Sequence, residues 1–168
     1  MVLTGYARRV GQALDPALII APEYAAGGDP AILAAHCLEA VDPMLAETVR
    51  EGDILVIGAP LAGSPANEAA VIALQALGIA AVICTAADTG FADIAGTYGL
   101  PVLIQAAAAQ AIPAGALLRI DIARGNIEVP GGAGWQSDPC AEPVIAATQR
   151  AQLLIRMRRV VEDEGFAE

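Results

Sequence analysis

The densest hydrophobic patterning lies between Asp53 and Gly78, in DILVIGAPLAGSPANEAAVIALQALG. Asp53–Gly58 carries a run of Ile, Leu and Val of the length of a buried strand. Ala59–Gly63 is a loop of small residues. Ser64-Pro65 predicts a helix start: a serine hydroxyl accepts from the free N–H groups of a first turn, and proline at the next position gives up a donor that had no helical partner. Glu68 then falls near the positive end of the helix dipole, and Gly78 is placed to end the helix. Ala80–Cys84 follows as a second strand. Strand, helix and strand within about thirty residues make a βαβ unit with a parallel pair. Ligands of such units bind beyond the carboxyl ends of the strands, near the helix start, so Ala59–Asn67 is the first place to look for a site. The plainer alternative is that this loop only turns the chain.

The same reading extends along the sequence. Val2–Leu3 and Arg9–Val10 suggest beginnings of a first strand, Leu14-Asp15-Pro16 a turn, and Leu18–Ile20 a short strand. Ala25–Gly28 is a flexible loop. Asp29-Pro30 repeats the cap-and-proline pattern and starts a helix through about Ala40, with Ile32, Leu33, His36, Cys37 and Ala40 on one face. Asp42-Pro43 starts another, to about Val49. Thr85–Gly90 is a loop, Phe91–Gly96 a helix ended by Tyr98-Gly99, and Leu100–Ile104 a third parallel strand. Gln105–Gln110 fits helix or loop. Leu118, Ile120 and Ile122 alternate onto one side, and Arg124-Gly125-Asn126 turns the chain back through Ile127–Val129, a hairpin signal. Pro130–Pro139 is irregular and carries the one tryptophan, Trp135, as a cover for the core edge. Glu142–Glu164 is one long helix whose Arg150, Arg156, Arg158 and Arg159 form a solvated face. The sum is a single α/β domain over residues 1–168, a mostly parallel sheet with flanking helices, then a hairpin and a C-terminal helix.

Composition narrows the function classes. The chain is 56% hydrophobic, yet no apolar run reaches the roughly 18 residues of a membrane span, and the first residues lack the apolar core of a signal peptide. A cytoplasmic protein is expected. Formal net charge is −10 and all nine basic residues are arginine, which argues against binding nucleic acid through phosphate neutralisation. Cys37, Cys84 and Cys140 are far apart and without a CxxC pair, so buried thiols are expected rather than an iron–sulfur cluster on this chain. His36, alone in the sequence, has no second ligand near it, and no metal site is expected.

The order of segments resembles the small subunit of isopropylmalate isomerase, the counterpart of the swivel domain of aconitase. The resemblance runs through VGQALDPALIIAPEY, DPAILAAHCLEAVDP, REGDILVIG, EAAVIALQALGIAAVI, YGLPVL and LLRIDIARGNIEV, nearly the whole chain. It implies the swivel fold. It also implies a partner: a large subunit with a four-iron cluster that removes the hydroxyl of a hydroxy-diacid as a Lewis acid. The small subunit of such a pair supplies a serine as base and arginines that hold carboxylates, on a loop resembling G-x-N-F-G-x-G-S-S-R-E-H-A. Here that stretch is Gly58-Ala59-Pro60-Leu61-Ala62-Gly63-Ser64-Pro65-Ala66-Asn67-Glu68-Ala69-Ala70.

Aligned without a gap, the family's catalytic serine falls on Pro65, its neighbour on Ala66 and the arginine on Asn67, while Glu68 is kept. Ser64 lies one position early, either a shifted nucleophile or base, or a helix cap. The second family loop, A-R-x-F-x-R-N, is represented by Thr85–Asp93, with Asp88 and Asp93 and no arginine. A diacid meeting two carboxylates is repelled rather than clamped. The Ala-Gly-Gly break of the family's C-terminal helix reads Arg150-Ala151-Gln152, which predicts one longer helix. Three readings follow. The first is a divergent small subunit that needs an iron–sulfur large chain and acts on a hydroxy acid other than an ordinary diacid. The second is an iron-independent enzyme, with Pro60, Leu61, Ala62, Gly63, Pro65, Ala66, Asn67 and Glu68 lining a small-molecule cleft and Ser64, Asp88 or Asp93 as acid or base. The third is a non-catalytic binding subunit, in which a self-complementary hydrophobic surface makes a homo-oligomer.

Overall fold

The structure is a computed structural model and describes residues 1–164. Its seven-stranded sheet runs, in order across it, β4 (Val102–Ile104), β3 (Ala81–Cys84), β2 (Ile54–Ile57), β1 (Val2–Val10), β5 (Leu117–Asp121), β6 (Asn126–Glu128) and β7 (Gly134–Gln136). The first strand, β1 (Val2–Val10), is one nine-residue strand, so the two suggested beginnings are its two ends. It serves two partners in turn. Val2–Tyr6 pair antiparallel with β5 (Leu117–Asp121), and Ala7–Val10 pair parallel with β2 (Ile54–Ile57). β2 continues parallel to β3 (Ala81–Cys84), and β3 to β4 (Val102–Ile104). On the other side β5, β6 (Asn126–Glu128) and β7 (Gly134–Gln136) form an antiparallel meander.

Every residue of β2 and β3 is buried, which accounts for their unbroken Ile/Leu/Val/Ala/Cys runs. Alternate side chains feed two cores. Leu55, Ile57, Val82 and Cys84 pack under the helices that connect the parallel strands; Ile54, Val56, Ala81 and Ile83 pack with Leu118, Ile120, Ile122 and Ile127 of the hairpin side. The helices before the C-terminal one are α1 (Pro16–Ile19), α2 (Pro22–Ala25), α3 (Pro30–His36), α4 (Leu45–Thr48), α5 (Asn67–Leu77), α6 (Thr89–Thr97) and α7 (Ala106–Ala111), and α5 and α6 connect successive parallel strands. The expected βαβ unit is therefore present, with Gly78 in the left-handed conformation (φ 110°) at the end of α5.

Four local expectations are corrected. Leu18–Ile20 is not a strand: Pro16–Ile19 is a helical turn, because the Asp15 carboxylate accepts from the Leu18 amide at 3.0 Å and Pro16 sits at its first position. Ala25 belongs to a second short turn, Pro22–Ala25, and only Ala26, Gly27 and Gly28 remain loop. The helix from Pro30 stops at His36 rather than near Ala40, since the Leu38 amide is drawn to the Ile19 carbonyl at 2.7 Å and Leu38 turns left-handed (φ 59°). Leu33 and Cys37 are buried as expected, but Ile32 and Ala40 are exposed. Pro130–Pro139 contains β7, in which Trp135 pairs with Ile127 and packs half-buried on the second core. Gln105–Gln110 resolves as helix, Ala106–Ala111, capped by the Gln105 side chain. The last element, α8 (Glu142–Glu164), is one 23-residue helix, as the Arg150-Ala151-Gln152 reading predicts. Among the described residues no helix is long and apolar enough to cross a membrane.

Candidate functional site

β1, β2 and β3 all run toward one edge of the sheet, and the chain leaves them in ordered rungs rather than free loops. Leu14 bridges to Leu61, and Leu61 to Ala87, both in parallel sense. The Leu61 amide donates to the Ala86 carbonyl at 2.9 Å, and the Asp88 amide to the Leu61 carbonyl at 2.8 Å. Leu61 is thus a buried strand-like residue, 1% exposed, whose side chain belongs to the first core and not to the outer surface of the loop. Pro60, Ala62 and Gly63 remain exposed around it.

The chain then enters α5 through a tight turn. The Ser64 hydroxyl accepts from the Ala66 amide at 3.1 Å, the Asn67 side-chain oxygen accepts from the Ser64 amide at 2.9 Å, and the Asn67 amide donates to the Ser64 carbonyl at 3.1 Å. Ser64 therefore caps a turn at Pro65-Ala66, and the helix proper starts at Asn67, later than the cap-and-proline pattern suggests. Asn67 is 7% exposed, so its amide is a structural clasp for this turn.

Asp88 comes up beside the turn from the next connection. Its carboxylate accepts from the Phe91 amide at 3.1 Å and so caps α6. A side chain added at Gly63 would run into that carboxylate, and one added at Gly90 would sit 3.0 Å from it and 3.6 Å from the Asn67 amide nitrogen. Gly63, Ser64, Asn67 and Asp88 are in this way gathered at one edge. Asp93 is not with them. It lies five residues further along α6 and lines a separate hollow of about 220 Å³ with Gly96, Asp138, Cys140 and Val144. Glu68 is also turned away: the Tyr98 hydroxyl donates to its carboxylate, and this bond, with desolvation behind it, holds the phenol above its usual range.

Arg9 is a functional-looking residue that the sequence reading left out of the site. It ends β1 next to Gly58, where a Cβ would lie 2.7 Å from the guanidinium. The guanidinium does not face an open anion site. It donates to the carbonyls of Ala109 at 2.6 Å, Ile112 at 2.9 Å and Gln110 at 3.3 Å, closing the end of the Ala106–Ala111 helix. No local sequence signal marks that pairing, because donor and acceptors are about a hundred positions apart.

The residues do not fit an iron–sulfur cluster. Among the described residues no three of His, Cys, Asp and Glu are grouped to hold a metal ion. Cys37 and Cys84 are buried in the first core, and burial alone pushes their thiols up to about 12 and about 11, away from the thiolate a metal needs. A larger hollow, about 730 Å³, opens at the opposite end of the sheet, between Gly52, Gly78 and Tyr98 and the arginine-bearing side of α8. There the Arg159 guanidinium meets Glu51 at 2.6 Å through Nε.

The capping role of Asp88 can be measured directly. Asp88→Ala is expected to lower unfolding stability by about 1 kcal/mol, while Asp88→Asn, which keeps an acceptor at the cap, stays within a few tenths of the parent. Urea titration of both variants decides it; equal losses would mean that the charge and not the cap is what stabilises.

No family model matches the chain. It is 35% identical over 127 residues to the 3-isopropylmalate dehydratase small subunit of Moorella thermoacetica, covering 76% of each chain. It is likewise 35% identical over 142 residues to the protein of that name from Nautilia profundicola, covering 84% of this chain and 85% of that one. Among solved structures, 3-isopropylmalate dehydratase of Methanocaldococcus jannaschii superposes with a TM-score of 0.76 over 99% of this chain and 100% of the other, at 24% identity. That likeness carries the fold.

Proposed function

The chain belongs to the family of 3-isopropylmalate dehydratase small subunits, and we propose that its edge of Gly63, Ser64, Asn67 and Asp88 completes the site of an iron–sulfur large-subunit partner, for a hydroxy acid less anionic than a dicarboxylate. The family is one of aconitase-type hydro-lyases, and a small subunit implies a large one. The observation that carries the substrate reading is the Asp88 carboxylate beside Gly63, on an edge where Arg9, next to Gly58, is spent on the carbonyls of another helix. A second carboxylate of a substrate would meet like charge there and find no clamp. A neutral or apolar end would instead lie against Pro60, Ala62 and Pro65, with the exposed Asp88 carboxylate and the Ser64 hydroxyl as the polar groups within reach of the reacting end. Ser64 is the candidate proton carrier by type and place, and its hydroxyl proton is free of the cap bond, which uses only the oxygen.

The test is co-expression with the large chain of the same host under anaerobic conditions. The expected result is a complex of fixed ratio that hydrates or dehydrates a monocarboxylic hydroxy acid with higher kcat/KM than isopropylmalate. Asp88→Asn should raise kcat/KM for isopropylmalate about tenfold by removing the repulsion, and should do little for the monoacid. Recovery of this chain alone would overturn the partner reading. Undiminished isopropylmalate turnover, indifferent to Asp88→Asn, would overturn the substrate reading.

A further inference from the structure

We propose that the outer face of α8 is covered by a second copy of this chain, in an antiparallel two-fold pairing centred on Met157. The start of α8 is packed: Ile145, Ala147 and Thr148 are buried. Beyond it the helix keeps only one side on the domain. Ile155 is half-buried, and Arg159 reaches down to Glu51. The other side carries Leu153, Leu154, Met157, Val160 and Val161, each more than half exposed. At 100° per residue these five fall within one stripe, opposite Thr148, Ile155 and Arg159. A stripe of large aliphatic side chains over two turns is not a solvated face in the ordinary sense. Of the arginines expected to form that face, Arg156 and Arg158 flank the stripe, and Arg159 lies opposite it on Glu51.

Charge along the stripe selects the occupant. Arg150 stands one turn before the apolar residues and Glu164 one turn after them, at the same angular position. The spacing Arg150, Leu154, Met157, Val161, Glu164 alternates four and three, the seam of a two-helix coil. Around a two-fold axis at Met157, Leu153 faces the partner's Val161, Leu154 the partner's Val160, and Arg150 the partner's Glu164. The cationic start of one helix thus lies on the acidic Glu162-Asp163-Glu164 end of the other. A parallel pairing would stack those acids on each other in a chain that already carries −10. The face is complementary to itself in one orientation only, which is the signature of an isologous contact. Five large side chains from each copy put the buried area at about 1,000 Å², the low end of specific interfaces, so the association should be concentration-dependent. The proposal stands apart from the catalytic reading, because the part of α8 that carries the stripe lies beside Gly52 and Gly78, at the end of the sheet away from Ser64 and Asp88.

Sedimentation of the full chain across a wide concentration range tests it. The parent protein should show a reversible monomer–dimer equilibrium. Met157→Glu places two like charges across the axis and should leave a monomer with the circular dichroism of the parent and, at concentrations where the parent too is monomeric, its thermal stability. Glu164→Arg should weaken the dimer about tenfold by setting arginine against arginine twice, and the double exchange Arg150→Glu with Glu164→Arg should restore it. A monomer at every concentration, a dimer untouched by Met157→Glu, or a charge exchange that fails to restore would each overturn the pairing. So would a complex with the large subunit that Met157→Glu abolishes, since the stripe would then belong to that partner.

Discussion

Gly5→Ala should destabilise this protein by about 3 kcal/mol or more, although it adds only one methyl group, at a buried position of β1. β1 changes partner at this point, pairing antiparallel with β5 up to Tyr6 and parallel with β2 from Ala7. The turn that leads into β2 is pressed against Gly5, so that a Cβ would overlap the Gly52 carbonyl oxygen and lie 3.3 Å from the Asp53 Cα. Gly52 cannot retreat. Its own φ is 97°, its amide donates to the Gly78 carbonyl at 2.8 Å, and the Asp53 carbonyl accepts from the Ala80 amide at 2.9 Å. Relief therefore requires moving either the β1–β2 pair or the end of α5. Gly11→Ala, where nothing lies within 4 Å, is the matched control and should stay within about 0.5 kcal/mol. Urea denaturation of the two variants compares them; equal midpoints would mean that the turn yields.

Nothing in the sequence around Gly5 announces that contact, and this divides what was legible from what was not. Features written in neighbouring residues were readable. Ile54–Ile57 and Ala81–Cys84 are unbroken apolar runs because both faces are covered, and Asp29-Pro30 caps its helix as such a pair should. Leu118, Ile120 and Ile122 alternate because one face of that strand is core. Features decided by distant residues were not readable. The stop after His36 depends on an Ile19 carbonyl, and β7 depends on Ile127 being in place to pair with Trp135. Leu18–Ile20 was ambiguous in itself, since a three-residue apolar run suits helix and strand equally.

The candidate site followed the same division. Its location beyond the strand ends was legible from the βαβ pattern, and the gathering of Ser64, Asn67 and Asp88 bears on that location. The separation of Asp88 from Asp93 turned on where α6 begins. With the start at Phe91, both aspartates could be placed near the loop. With Asp88 as the cap, residues five apart on a helix are rotated by about 140° and face different surroundings. Leu61 sits in a loop of small residues that reads as solvent-facing, and its rung between Leu14 and Ala87 turns it inward. The stripe on α8 was visible in sequence only as an uninterrupted helix. Its meaning depends on which side Glu51 takes.

Asp53→Ala is the second large effect, expected at about 3 kcal/mol. Asp53 is 2% exposed, and one carboxylate oxygen accepts both from Arg8 Nε at 2.6 Å and from the Arg50 amide at 2.9 Å. Removing it strands a guanidinium that is only 24% exposed and an amide in the same turn. Asp53→Asn keeps an acceptor for the amide and should recover roughly 1 kcal/mol of the loss. Replacing both charges with apolar side chains, Arg8→Met with Asp53→Leu, should approach the parent, because burying the pair already costs most of what its attraction returns. A loss below about 1 kcal/mol for Asp53→Ala would mean that water reaches Arg8 and the pair behaves as a surface one. Gly5 and Asp53 both hold the same four-residue turn, Arg50 to Asp53, against β1. Once either substitution has loosened that turn, the other has less to disturb, so the double variant Gly5→Ala with Asp53→Ala should lose less than the sum of the two.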